Sequence, residues 1–327
     1  MNSEERAKRA QACMEKGQYG KALGELDALA KLEPDNPHVR VLRGEAQMGL
    51  GRCGEALGDF GEAIRLDPKS AFAHFCRGEA YIELGECTAA LADFGAAIGL
   101  DPKFPHARVS RGEALLDRGE HEKAILDFGE AIKLDPRISR AHAGRGAAYL
   151  ELGEYENALA DFDEAARLDP GDAFAHACRG EACMELGDAG SAAESLREAI
   201  RLEPDNPAHY FLRAEIYLEQ GEYEKALADF DRGIGLDPDS PMAYVGRGAI
   251  HAEQGRYESA ARDYGEAIRL DPGDFLAYAA RGQALGQLGQ NGRAISDLEK
   301  ALSLEPDFDD ARQALLKLRE AEGLEGE

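Results

Sequence analysis

The sequence predicts an all-α solenoid built from nine 34-residue helix-turn-helix repeats and a C-terminal capping helix. Three observations support this prediction: a strict 34-residue period, two blocks of helically spaced apolar residues in each period, and helix-ending residues between the blocks. A chain of 327 residues would ordinarily suggest about two globular domains. A repeat array instead grows along one axis without closing a core, so length sets the number of repeats.

The period is visible in several residue types that keep one register without insertion. The prolines lie at Pro34, Pro68, Pro102, Pro136, Pro170, Pro204, Pro238, Pro272 and Pro306. The glycines lie at Gly17, Gly51, Gly85, Gly119, Gly153, Gly187, Gly221, Gly255 and Gly289. The predicted repeats are 3–36, 37–70, 71–104, 105–138, 139–172, 173–206, 207–240, 241–274 and 275–308.

Each repeat, numbered from position 1 to 34, contains two predicted helices. Apolar or small residues at positions 8 and 11–12 indicate helix A, and those at 20, 24, 27–28 and 30 indicate helix B. Glycine at position 15 can end helix A in a left-handed conformation, and the proline at position 32 ends helix B. Position 34 is expected to cap the next helix A in six repeats, through Asn36, Ser70, Asp172, Asn206, Ser240 and Asp274.

Small and bulky positions alternate in a way that predicts close helix packing. Position 20 is always alanine and position 8 is glycine or alanine, so the two helices can approach closely. The bulky residue is at position 24, as Phe60, Phe94, Phe128, Phe162, Phe230 and Tyr264. One pair of helices cannot bury its apolar face alone, so neighbouring repeats are expected to stack.

The last segment, 309–327, does not complete another repeat. Ala311, Ala314, Leu315 and Leu318 form one apolar stripe with charged residues beside it. An array needs such a polar-backed helix at its end, so we expect a capping helix here, with a frayed tail after Glu322.

Charge and composition restrict the kind of partner. Lys plus Arg total 38 and Asp plus Glu total 63, which gives a net charge of −25. Such a charge repels nucleic acid and anionic membranes and favours a basic protein or peptide. The N-terminus has no apolar signal core, no apolar run is long enough to span a membrane, and the six cysteines form no CxxC pair. We therefore expect a cytoplasmic protein without nucleic-acid or membrane partners.

The repeat resembles the tetratricopeptide repeat family, whose signature is W-x2-L-G-x2-Y, then A-x3-F, then P. The residues that carry the match in the repeat 139–172 are His142, Arg145, Gly146, Tyr149, Ala158, Phe162 and Pro170. Two positions depart from the signature: position 4 is Arg, His or Tyr instead of Trp, and position 7 is Arg in all nine repeats. The resemblance implies a right-handed superhelix whose A helices line a concave groove. It also implies that the histidines at position 4 pack as rings rather than bind metal.

The position-7 arginines allow two interpretations. They could form a ladder that binds anions, or each could pair with the acidic residue at position 23 of its own helix B. We favour pairing because buried charges need partners. The repeat 173–206 is the exception, since Arg179 faces Ser195 there.

The candidate partner-binding groove combines acidic and apolar positions of the A helices. Carboxylates recur at positions 9 and 13, one turn apart on one face, and could be either an acidic trough for a basic segment or a solvated surface. Position 5 is apolar, so the Lys/Asn clamp with which some family members hold chaperone C-termini is absent. The predicted groove residues are Phe75, Glu79, Glu83, Val109, Glu113, Asp117, Glu151, Glu181, Glu185, Phe211, Glu215 and Glu219.

The sequence favours a scaffold or adaptor that binds an extended peptide or a partner domain. No motif for nucleotide, metal or nucleophilic catalysis is present, and the turns are short and uniform, so we expect no catalytic residue, metal or cofactor. Two alternatives stay open: a structural array that associates with itself, and a regulatory subunit of a larger complex. The oligomeric state is not predicted.

Overall fold

The computed structural model describes residues 2–322, which form 19 α-helices and no strand. The all-α fold class is thereby confirmed. The A helices are α1 Ser3–Met14, α3 Pro37–Met48, α5 Ala71–Glu83, α7 Pro105–Leu116, α9 Ser139–Glu151, α11 Ala173–Glu185, α13 Pro207–Glu219, α15 Pro241–Glu253 and α17 Phe275–Gln287. The B helices are α2 Tyr19–Leu32, α4 Cys53–Leu66, α6 Cys87–Leu100, α8 His121–Leu134, α10 Tyr155–Leu168, α12 Ala189–Leu202, α14 Tyr223–Leu236, α16 Tyr257–Leu270 and α18 Asn291–Leu304. The last helix is α19, Asp309–Ala321.

The helices pack in sequence order within two blocks, Met1–Pro170 and Gly171–Glu327. Within each block, every A helix packs against the B helix that follows it. Each B helix then packs against the next A helix of the same block. Stacking of neighbouring repeats therefore buries the faces that a single helix pair would leave exposed.

Glycine at position 15 makes the turn from helix A to helix B possible. Its φ is positive in all nine repeats, between 65° and 76°. At Gly153, for example, the following residue Glu154 donates its N–H to the Tyr149 carbonyl oxygen at 2.9 Å. This hydrogen bond closes a C-terminal turn that an L-residue would enter only with strain.

The turn from helix B to the next helix A is closed by side chains as well as by proline. Position-4 side chains reach back to the carbonyl oxygen of the preceding proline: Tyr210 Oη donates to Pro204 at 3.0 Å, and His142 Nε2 lies 3.1 Å from that of Pro136. The sequence interpretation of these histidines as packing rings was therefore incomplete.

The caps at position 34 mostly agree with expectation. Asn36, Ser70, Asp172, Asn206 and Asp274 each accept a backbone N–H of the following helix. The prediction for Ser240 was wrong, because its side chain makes no capping hydrogen bond. Pro241 begins that helix, but Pro37 and Pro207 also begin helices whose asparagine caps are formed, so the proline does not account for the missing hydrogen bond.

In the second to fifth repeats the core is an aromatic ring packed on a glycine. Phe60, Phe94, Phe128 and Phe162 are completely buried. A Cβ built on Gly78 would lie 2.5 Å from the ring of Phe94, and one on Gly146 would lie 3.0 Å from Phe162. In these repeats the ring at position 24 occupies the space that a side chain at position 8 would need.

The final helix α19 packs against α18 through Ala311 and Leu315, which are buried. Its Arg312 donates to the Pro306 carbonyl oxygen, the contact that position-4 residues make elsewhere in the array. We propose that α19 occupies the place of a tenth helix A and closes this end of the array. The predicted fraying of 323–327 lies outside the described residues.

The repeat 173–206 is expected to open more readily than its neighbours. Leu196 replaces the aromatic ring at position 24, and helix α12 begins with Ala189 and Gly190, where α10 and α14 of the neighbouring repeats begin with tyrosine and glutamate. A smaller core residue and a helical glycine each lower the stability of a repeat, and stability in an array is a sum of such terms. Amide protons of α12 should therefore exchange faster than those of α10 and α14. Equal or slower exchange would contradict this prediction.

Candidate functional site

The position-7 arginines are held by carboxylates inside the array. In seven repeats the guanidinium donates from Nε and Nη2 to both oxygens of the Asp at position 23, as in Arg145–Asp161 at 2.7 and 2.8 Å. The other pairs are Arg43–Asp59, Arg77–Asp93, Arg111–Asp127, Arg213–Asp229, Arg247–Asp263 and Arg281–Asp297. The predicted pairing is confirmed, and two-pronged engagement leaves little capacity for an anion ladder.

Two repeats do not contain this Arg–Asp pair. In the first repeat Glu25 takes its shorter contact, 2.6 Å, from Arg6 at position 4, while Arg9 lies 3.6 Å away. In the sixth repeat Arg179 donates to the Ser195 hydroxyl at 2.6 Å, and Ser195 donates in turn to the Ser191 carbonyl oxygen.

Position 4 contributes to the same polar cluster, which sequence reasoning missed. His74 Nδ1 lies 2.9 Å from Asp93 Oδ1, and His142 Nδ1 lies 3.2 Å from Asp161 Oδ1. The buried carboxylate therefore has partners from positions 4 and 7 of one A helix. The polar character of position 4 in every repeat was the signal that could have indicated this role.

The position-9 carboxylates of the first block lie on adjacent A helices. Burial raises the pKa of Glu45, and burial also raises the pKa of Glu113, assisted by the negative charges of Glu79 and Asp117. Arg140 partly offsets this effect, because it binds Glu113 through two hydrogen bonds of 3.1 and 2.6 Å. Within the predicted trough, Glu113 is therefore already paired with the cationic side chain of Arg140. Among the described residues, Glu45 and Glu79 have no side-chain hydrogen bond or ion pair.

The second block repeats the acidic pattern on α11 and α13. Partial burial, followed by the charges of Glu219 and Glu181, raises the pKa of Glu215. Phe211 packs beside Phe230, with ring centroids 6.4 Å apart. Its ring also lies against Gly233, where any larger residue would clash with it. Within this block Phe211, Glu215 and Glu219 therefore follow one another at one-turn spacing on α13, and Glu181 and Glu185 lie on α11.

The position-13 carboxylates lie at the C-terminal ends of the A helices. Glu83, Glu151, Glu185 and Glu219 are the last residues of their helices, Asp117 caps α7, and all five are exposed. A negative charge at a helix C-terminus is repelled by the helix dipole, by roughly 0.3–1 kcal/mol in exposed positions. These residues therefore do not serve the stability of their own helices.

The two apolar groove residues of the first block differ in their exposure to solvent. Phe75 is half-buried in an aromatic group with Phe72 and Phe104, at centroid distances of 6.2 and 5.0 Å. Val109 is only 2% exposed and belongs to the core, so its side chain is not part of an accessible surface. Hence only Phe75 remains available to a partner.

Residues 2–322 contain neither a metal-binding cluster nor a membrane-spanning helix. No group of three or more His, Cys, Asp or Glu side chains is placed to hold a metal ion in this range. Nor does this part of the chain contain a helix with the length and apolarity needed to cross a bilayer.

Comparison with known families settles what the repeated geometry represents. One profile described as tetratricopeptide repeat matches residues 8–71, 76–136, 179–241, 217–275 and 246–307, and a second matches 139–172. The chain belongs to the tetratricopeptide repeat family. The arginine at position 7 and the polar residue at position 4 are thus features of this tetratricopeptide array and not signs of another fold.

Solved structures support the same fold. The Cut9–Hcn1 hetero-tetramer of APC/C matches 91% of this chain with a TM-score of 0.60 and 17% identity, and the match spans 58% of that chain. A tetratricopeptide repeat protein from Parabacteroides merdae matches 76% of this chain and 98% of its own, with a TM-score of 0.56 and 22% identity. YrrB, a TPR protein with an unusual peptide-binding site, matches 57% of this chain and 96% of its own, with a TM-score of 0.50 and 22% identity. No curated protein matches the sequence.

Proposed function

We propose that this chain is a non-catalytic scaffold or adaptor that binds an extended basic peptide or a partner domain. Binding would take place on the A-face, defined within each block as the surface made by positions 2, 5, 9 and 13 of that block's A helices. The observation that carries the proposal is the group of partly buried position-9 carboxylates, of which Glu45 and Glu79 have no partner among the described residues. A cationic partner would neutralise charges that the array itself leaves unneutralised.

Three further features support a binding role. The position-13 carboxylates lie at the unfavourable end of the helix dipole, so a cation bound beside them would remove an electrostatic penalty. Exposed apolar side chains at position 2, such as Phe72 and Met242, lie on the same A helices, where they could contact apolar side chains of a peptide. The turns between helices contain three or four residues, which is too short for loops to converge on a substrate.

The named structural neighbours fit this proposal. YrrB is described as having a peptide-binding site, and Cut9 is described in a complex with Hcn1. Self-association through the A-face is less favourable, because it would bring like-charged surfaces of a chain with a net charge of −25 together.

Charge reversal on the A-face should weaken the binding of a basic peptide. The variant Glu79→Lys, Glu113→Lys, Glu181→Lys should bind a labelled, amidated decapeptide of alternating lysine and leucine about tenfold more weakly. Its affinity should also depend less on salt, because fewer attractive charges remain to be screened. Fluorescence anisotropy at two ionic strengths measures both effects.

The matched control reverses three surface carboxylates on the B helices, two of them partly buried: Glu62→Lys, Glu130→Lys and Glu198→Lys. These residues are paired with Arg65, Lys133 and Arg201 on the helix surface. The control changes the net charge by the same amount, so it should alter affinity much less. Equal weakening in both variants would show that only net charge attracts the peptide, and the proposal would be wrong.

A further inference from the structure

A cavity of about 370 Å³ lies between the A helices α3 and α5 in the first block. Its walls include Tyr19, Met48, Phe72 and Phe75, and its polar groups include Glu45 and Glu79. This volume is within the range of roughly 300–1,000 Å³ that is usual for small-ligand sites. The cavity therefore has room for a side chain of a partner.

The apolar wall is formed by packing that leaves the cavity open. A Cβ on Gly49 would lie 2.6 Å from the ring of Tyr19, so glycine there allows this ring to close one end of the cavity. Phe75 is fixed by contacts with Phe94 and Phe104, at centroid distances of 6.0 and 5.0 Å, whereas Phe72 is 46% exposed at the opening. The wall is thus preformed, and its rim can reach a ligand.

The polar groups of the cavity are all acidic or uncharged. Burial, followed by the negative charges of Glu45 and Glu79, raises the pKa of the Cys76 thiol in the cavity wall. This thiol stays protonated, so it offers neither a nucleophile nor a metal ligand. The charged chemistry of the cavity therefore comes from two carboxylates alone.

Among the possible occupants, one fits both the wall and the charges. A purely apolar side chain would desolvate Glu45 and Glu79 further without giving them a partner. A divalent cation would find only two carboxylates here, and residues 2–322 hold no group of three or more His, Cys, Asp or Glu side chains placed for a metal ion. A side chain with a long aliphatic stem and a terminal cation fits both. Its stem would pack on the rings and methionines, and its cation would pair with the carboxylates.

We propose that this cavity is the anchor site for a lysine or arginine side chain of the bound segment. The proposal rests on the proposed function and makes it specific, because it names one cavity and one side-chain chemistry. The stem would lie on Met48, Phe72 and Phe75, and the cation would bridge Glu45 and Glu79.

Methionine methyl signals provide a local test on the full-length chain. Met14 and Met48 line the cavity, whereas Met184 and Met242 belong to α11 and α15 and do not. The probes are four capped pentapeptides Gly-Ser-X-Ser-Gly, in which X is lysine, arginine, norleucine or glutamate. With ¹³C-methyl-methionine protein, the lysine or arginine peptide should shift the Met14 and Met48 signals saturably and leave those of Met184 and Met242 unchanged.

The contribution of the charge is read from the norleucine peptide, which keeps the stem and lacks the cation. It should bind about fivefold more weakly than the lysine peptide, and the glutamate peptide should cause no shift. In the variant Glu45→Gln, Glu79→Gln this difference should disappear. Glu62→Gln, Glu130→Gln is the matched control, because it removes the same number of charges from B helices outside the A-face and neither residue lines the cavity.

Two results would overturn the proposal. If norleucine binds as tightly as lysine, the cavity is only an apolar pocket. If neither cationic peptide moves the Met14 and Met48 signals, the cavity takes no such side chain. In that case the lysine–leucine decapeptide distinguishes the two proposals. If charge reversal on the A-face still weakens its binding, the proposed function stands and only the anchor site is wrong.

Discussion

Replacing Arg145 with alanine should lower the free energy of unfolding by about 3 kcal/mol. The change removes both hydrogen bonds to Asp161, whose side chain is only 7% exposed. Breaking a buried pair by removing one partner typically costs about 3–5 kcal/mol, because a charge is left buried without compensation. We expect the lower end of this range, since the Arg145 side chain is 26% exposed and His142 remains beside the carboxylate.

The pH dependence of this loss is a second readout. Burial alone would raise the pKa of Asp161, but the hydrogen bonds from Arg145 and His142 outweigh it and hold the pKa below the usual 3.8. A depressed pKa contributes stability that is present above the unfolded value and is lost as the pH falls through the folded value. Without Arg145 the pKa should rise, so the stability difference between the two proteins should shrink as the pH is lowered and the variant's carboxyl becomes protonated.

Arg167→Ala is the matched control for Arg145→Ala. It breaks an ion pair with Glu164 in the same repeat, but the two side chains are 66% and 34% exposed, so the expected loss is below about 1 kcal/mol. Denaturant unfolding compares the two variants. If Arg145→Ala also loses less than about 1 kcal/mol, its pair behaves as a surface pair. If Arg145→Ala keeps its stability but no longer binds an anionic ligand, the anion-ladder interpretation would be favoured.

Replacing Phe128 with alanine should cost about 3–5 kcal/mol, the largest single effect that we expect. The ring is completely buried. It lies against Gly112 on α7 of its own repeat and against Gly144 on α9 of the next repeat. Its removal would therefore leave a cavity both within a repeat and at the interface with its neighbour. Denaturant unfolding should show the loss, and faster amide exchange should appear in both repeats.

Two glycine substitutions test the same contact from the other side. Gly144→Ala should destabilise the array by about 1–3 kcal/mol, because the added methyl group would overlap the Phe128 ring. Gly129→Ala is the control, since its nearest neighbour would be Arg145 Nη1 at 3.8 Å. Alanine is the better helix former, so this change should stabilise the array by up to about 1 kcal/mol. Combining Gly144→Ala with Phe128→Leu should recover part of the loss, and no recovery would argue against the packing explanation.

Periodic sequence features determined most of the fold. Glycine at position 15 and proline at position 32 predicted both turns, and their register held without a gap. The pairing of Arg145 with Asp161 was also predictable, because the same two residue types recur at the same spacing in other repeats. Ser240 shows the limit of such inference: serine caps α5 as Ser70, but Ser240 makes no capping hydrogen bond at the start of α15.

The tertiary structure alone decided which groove residues are accessible and how they are partnered. Glu113 binds Arg140, a residue 27 positions further along the chain, and Val109 is buried although its position resembles that of Phe75. The cavity beside Glu45 depends on Tyr19, Gly49 and Phe72, which come from three repeats. Contacts made once in the chain leave no period in the sequence. Contacts made identically in each repeat leave a period in the sequence. For this reason the sequence alone determined the helical scaffold, whereas the accessible surface was decided by the tertiary structure.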